Sequence, residues 1–141
     1  MHYGSEDLIK LSRSQLKQAS KVCKRAFTND PLIKWLFAQE DQKDSLIESF
    51  FACRIRYGLL FGESFITSPK IEGIVVWYSS KYAKVTNWRM IRARYIFLIS
   101  RVKIKTTKRI MSFSDFAYKQ HHNCVQFPHV ILAPIAVDPS Y

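Results

Sequence analysis

The side chains best suited to binding a metal or moving a proton crowd the last quarter of the sequence: His121, His122, Cys124 and His129. Structural zinc sites pair their ligands at short fixed spacings. The pattern H-H-x-C followed by a single histidine lacks that pairing. Adjacent histidines at a helix end also point roughly 100° apart. No metal is therefore expected. His129 opens an apolar run, "HVILAPIAV", where it is either a base or relay or simply a residue capping a strand. Glu72 is the other candidate base, at the start of "IEGIVVWYS"; its alternative role is a solvated hairpin glutamate. Asp30 precedes Pro31, where it suits the cap of a helix. Trp35 and Phe37 follow, aromatic residues of the kind that build a core.

The elements that must position these residues are legible from spacing. Ser12 and Gln15 form a capping box, with Leu11 and Leu16 in the staple positions. Leu16, Ala19, Val22, Cys23, Ala26 and Phe27 then recur at helical spacing. Asn29-Asp30-Pro31 ends that helix and starts a short one, "PLIKWLF". A third helix is expected from about Lys43 to Leu60, stopped by Gly62. "ESFIT" and "IEGIVVWYS" read as an antiparallel hairpin around Ser68-Pro69-Lys70. The continuously apolar centre, Ile74 to Tyr78, suits a strand covered on both faces.

From Thr86 to about Ile110 the residues Trp88, Ile91, Tyr95, Leu98 and Val102 predict an amphipathic helix, broken near "VKIKTT". Another helix is expected from Ser112 or Ser114 to His122. The last element is an apolar strand interrupted by Pro134, which suits a bulge. That strand expects cover and a neighbour on each side, and left open it is a surface for self-association.

Composition bounds the function. The 141 residues suffice for one domain, with 48% hydrophobic and 14% aromatic residues to build a core. The first fifteen residues carry no apolar core of a signal peptide, and no run approaches the ~20 apolar residues of a membrane span. Three scattered cysteines, Cys23, Cys53 and Cys124, fit a reducing cytoplasmic setting. The net charge of +11 is local. No acid lies between Glu72 and Asp115, where ten Lys and Arg residues sit; the rest of the chain holds 12 basic and 11 acidic residues.

Four stretches taken in order resemble one family. "AFTNDPLIKWLF", "RYGLLFGESFITSPKIEGIVVWYSS" and "HHNCVQFPHVILAPIAVDPSY" are similar to the first helical corner, the helix and hairpin, and the acetyl-CoA strand of GCN5-related N-acetyltransferases. The basic helices between them resemble a two-helix insertion of one branch. The resemblance implies an incomplete α/β fold, a single domain over 1–141, and transfer of an acetyl group from acetyl-CoA to a primary amine. It implies backbone contacts to that co-substrate from Ile135, Ala136 and Val137, and an acceptor site near Asp30, Trp35 and Phe37. The acceptor would be a small-molecule amine or a peptide N-terminus.

In the family a Q/R-x-x-G-x-G/A loop follows this strand and holds the pyrophosphate at a helix N-terminus. The sequence stops at Tyr141 without it. The resemblance thus implies the N-terminal portion of a longer domain, which alone neither binds acetyl-CoA tightly nor turns it over. The competing reading is a non-catalytic basic module, in which residues 81–109 bind nucleic acid or anionic surfaces. The segment lacks the glycine-aromatic motifs of RNA-binding folds, so no specific nucleic acid is expected.

Overall fold

The computed structural model describes residues 7–141. The first six residues, part of the stretch read above for a signal peptide, lie outside that range. The described chain is a mixed α/β fold: six α-helices and a four-stranded antiparallel sheet in the order β1-β2-β3-β4. The strands are β1 (Ile9–Lys10), β2 (Gly62–Ile66), β3 (Gly73–Ser79) and β4 (Val130–Val137). The helices are α1 (Leu16–Phe27), α2 (Pro31–Leu36), α3 (Lys43–Phe61), α4 (Asn87–Arg92), α5 (Tyr95–Ile99) and α6 (Ile104–Cys124).

The chain enters α1 through a 3-10 turn over Arg13–Gln15. Ser12 fixes that turn, its N–H donating to Gln15 Oε1 at 3.0 Å. Asp30 starts α2: its Oδ1 accepts from the N–H groups of Leu32 at 2.9 Å and Ile33 at 3.1 Å. Pro31 occupies the first position, where no N–H is missed.

Helices α1 and α3 lie against one face of the sheet. Ile66, Ile74, Val76 and Ala136 point into them and join Ala19, Val22, Cys23, Phe51, Cys53 and Ile55 in the core. Burial pushes the Cys23 thiol up to about 12 and the Cys53 thiol up to about 11, so both act as small hydrophobes.

The structure corrects four expectations. β3 is not covered on both faces. Its partners in register place Val75 beside Phe65 and Ile135, and Trp77 beside Glu63 and Leu132. Among the described residues no helix covers this second face: Ile135 and Val137 each remain 62% exposed. β4 has no neighbour on its outer side among the described residues and is an edge strand. The register shifts opposite Val75–Trp77, so that Ala133 and Pro134 both face Val76, with a cis peptide between them. The proline thus sits in a bulge.

The basic segment is not one helix. Arg94 takes a left-handed conformation, φ 64°, and parts α4 from α5. The break turns the apolar stripe. Tyr95 and Leu98 stay buried while Trp88 is 66% exposed. The one expected break, near "VKIKTT", falls at Ser100–Lys103. α6 then begins at Ile104 and absorbs the helix expected from Ser112 or Ser114.

The start of α6 is held from afar. The buried Glu40 carboxylate accepts from the Lys103 N–H at 2.7 Å and from the Thr106 hydroxyl at 2.6 Å. A negative group at a helix N-terminus satisfies orphan donors and opposes the dipole.

The final turn is fastened by Asp138. Arg25 donates to both carboxylate oxygens, and Ser140 donates to Oδ1 from its N–H at 3.1 Å and its hydroxyl at 2.9 Å. The Arg25 hydrogen bond, with help from Ser140, lowers the Asp138 carboxyl to about 2. A carboxyl more acidic in the folded than in the unfolded state contributes stability above its unfolded value of about 3.9, lost as pH falls through the folded value. Thermal unfolding followed from about pH 5 to about pH 2 should therefore show a falling midpoint. Asp138→Asn should flatten this part of the profile. Parallel profiles for parent and variant would contradict the assignment.

Candidate functional site

The α1–α2 corner, α3, α6 and the bulge of β4 enclose a cavity of about 210 Å³. Its floor is apolar, formed by Phe27, Leu32, Ile33, Leu36, Phe50 and Phe51. From α6 come Ile110, Phe113 and Ser114, whose spacing of three and four puts them on one helical face. Pro134 closes the β4 side. Two charged residues line the space, Asp30 and Arg54.

Each position has a local cause. Asp30 stands at the corner because its Oδ1 caps α2, and its Oδ2 accepts no hydrogen bond among the described residues. Arg54 lies three and four residues beyond Phe51 and Phe50 on α3, which carries it onto the buried stripe. Its guanidinium rests over the Phe50 ring at 5.7 Å from the centroid. Among the described residues no salt bridge reaches either Asp30 or Arg54. The cavity can therefore hold a small apolar body and offers one carboxylate, one guanidinium and one hydroxyl to its polar ends. The volume is below the roughly 300–1,000 Å³ of drug-sized sites, so an occupant is small.

Of the residues singled out in the sequence, Asp30 lines this cavity. Trp35 and Phe37 do not. Trp35 faces outward under the Arg109 guanidinium, 5.0 Å from its ring centroid. Phe37 is fully buried, edge-on to Phe50 with centroids 5.7 Å apart. Ile135, Ala136 and Val137 continue β4 beyond Pro134, paired with Val75, Ile74 and Gly73. Ala136 points into the core and its two neighbours point to the bare face.

Glu72 lies at the hairpin turn, not at the cavity. It accepts from the hydroxyls of Ser68 and Thr67, the latter at 3.0 Å, and the Ser68 bond leads in holding its carboxyl below the ordinary range. His129 precedes β4, its N–H donating to Ser80 Oγ at 3.2 Å. Its Nδ1 is 2.6 Å from the Phe127 carbonyl, and its Nε2 meets Nε2 of His121. His122 instead stacks on Tyr118, and Cys124 is exposed. No three metal-type side chains gather among the described residues.

Four cations of the basic segment are committed to internal contacts. Arg89 donates to the Lys84 carbonyl at 2.9 Å and lies over Tyr82. Arg101 donates to Ser49 Oγ at 2.9 Å and Ser45 Oγ at 3.2 Å. Lys103 binds the Gln39 carbonyl and Asp41, and Arg109 donates to the Trp35 carbonyl at 2.6 Å. No described helix is long and apolar enough to cross a membrane.

Sequence reasoning passed over Arg54, Ser114 and the cavity face of α6. A signal for Arg54 existed: it is a cation placed at i+3 and i+4 from two phenylalanines of an apolar stripe. No family model matches the chain, and no curated protein matches it.

Proposed function

We propose that the chain is part of an N-acyltransferase of the GCN5-related kind, transferring an acetyl group from acetyl-CoA to a primary amine. The observation that carries this reading is the cavity in which the Asp30 corner and the Pro134 bulge meet. In the resemblance these are the acceptor side and the co-substrate side of one reaction. A bulge beside the site turns strand amides away from ladder pairing, toward a thioester carbonyl that becomes an oxyanion under attack. The outer edge of β4 has no strand paired to it among the described residues, so its N–H and C=O groups suit the amides of a pantetheine arm. Ile135, Ala136 and Val137 would make those contacts through their backbone.

Asp30 would draw the acceptor as a cation and fix it by a charge-assisted hydrogen bond. A free amine must form before it attacks the thioester carbon and expels the thiolate; Asp30 or water near it can take that proton. Glu72 and His129 stand apart from the cavity and are less suited to the task. The basic module is the weaker reading, because Arg89, Arg101, Lys103 and Arg109 are tied to the protein's own groups.

The test is thiol release from acetyl-CoA by the complete gene product across a panel of small primary amines. Amine-dependent release, reduced roughly tenfold or more by Asp30→Asn, is expected. Asparagine keeps the cap of α2, so the loss would reside in the site. Absence of release with every amine would overturn the reading.

A further inference from the structure

We infer that the cavity selects an amphoteric ligand: a small molecule carrying an ammonium and a carboxylate on an aromatic or branched apolar body, as an apolar α-amino acid does. The inference rests on the acyltransferase reading only in making that ligand the acetyl acceptor. Binding itself follows from the side chains present.

Asp30 and Arg54 enter one cavity from different elements, the α1–α2 corner and α3. They carry opposite charges, yet they form no ion pair with each other. Both are half-buried beside Phe27, Phe50, Phe51 and Phe113. A charge half-buried among aromatic rings without a counter-charge is disfavoured, and here two such charges, Asp30 and Arg54, line one small space. A ligand bearing both complementary charges satisfies them together. An amine alone leaves the guanidinium unanswered, and an acid alone leaves the carboxylate unanswered. The planar guanidinium fork suits a carboxylate, which it can bind through two parallel N–H donors. The ammonium suits Asp30 Oδ2, which accepts no hydrogen bond among the described residues. Ser114 offers a further hydroxyl, and the phenylalanine and leucine lining takes the apolar body. A site built this way disfavours analogues that lack one of the two charged ends, because the matching half-buried group is then left without a counter-charge.

The probe set is L-phenylalanine, phenethylamine, which lacks the carboxylate, and 3-phenylpropionate, which lacks the amine. Each is titrated calorimetrically into the 141-residue chain and into Asp30→Asn and Arg54→Gln, with melting temperatures recorded to show that the variants fold. L-phenylalanine should bind roughly tenfold or more tightly than either control. Arg54→Gln should erase its advantage over phenethylamine alone. Asp30→Asn should erase its advantage over 3-phenylpropionate alone. The inference is overturned if no probe binds, if phenethylamine binds as tightly as L-phenylalanine, or if folded Arg54→Gln keeps the parent's preference.

A separate assay of the complete gene product keeps the two claims apart. Amino-acid binding without acetylation would sink the acyltransferase reading and leave the binding site. Acetylation of simple amines in preference to amino acids would sink the amphoteric ligand and leave the transferase.

Discussion

Gly58→Ala is expected to destabilise the protein by about 3 kcal/mol, at the upper end of overpacking penalties. The sign is the informative part, since the same change inside an exposed helix stabilises by about 1 kcal/mol. Gly58 is buried in α3 where the helix presses on β3. A methyl group there would stand 2.1 Å from Val76 Cγ1 and 3.0 Å from Ser64 Oγ. Val76 is fully buried and β-branched, so it has little rotamer freedom with which to move aside. The helix or the strand must shift instead. Denaturant titration checks this, and a midpoint equal to or above the parent's would sink the argument. Adding Val76→Ala should recover part of the loss, because the obstructing methyl groups are then gone.

Glu40→Ala should cost about 3 kcal/mol, because it strands two donors at once. Loss of a partner leaves a buried polar group to bear about 1–3 kcal/mol, and the Thr106 hydroxyl is wholly buried. Glu40→Gln keeps an acceptor oxygen and should cost roughly half as much. Amide exchange over residues 103–107 separates this cap from a general loss, since alanine should raise exchange there before it does so in α3. Equal effects of alanine and glutamine would show that the carboxylate does not hold the helix start.

Local chemistry made much of this fold readable. Ser12 with Gln15, and Asp30 with Pro31, mark helix starts by groups that answer nearby N–H donors. The hairpin announced itself through two apolar runs around Ser68-Pro69-Lys70, and Pro134 pointed to its bulge. What stayed hidden depends on contacts far along the chain. β1 is two residues long, too short for a period, and exists through its pairing with Phe65 and Ile66. The spacing of Trp88, Ile91, Tyr95, Leu98 and Val102 continues unbroken through Arg94, so nothing in the period marks the left-handed residue. Glu40 has no local signal of its role, because the helix it caps begins more than sixty residues later. The site was half legible for the same reason. Asp30 declared its cap, while Arg54 acquires meaning only when α6 and β4 close over it.

The bare face of the sheet bears on how stability responds to temperature. Phe65, Val75, Trp77, Leu132, Ile135 and Val137 share that face, and Leu132, Ile135 and Val137 are already in contact with water in the folded chain. Unfolding cannot hydrate them a second time. The heat-capacity increment, set mostly by newly wetted apolar surface, should therefore fall below the usual ~12–15 cal/mol/K per residue. The stability curve of this chain should be correspondingly shallow, with less curvature toward the cold than a sheet covered on both sides would give.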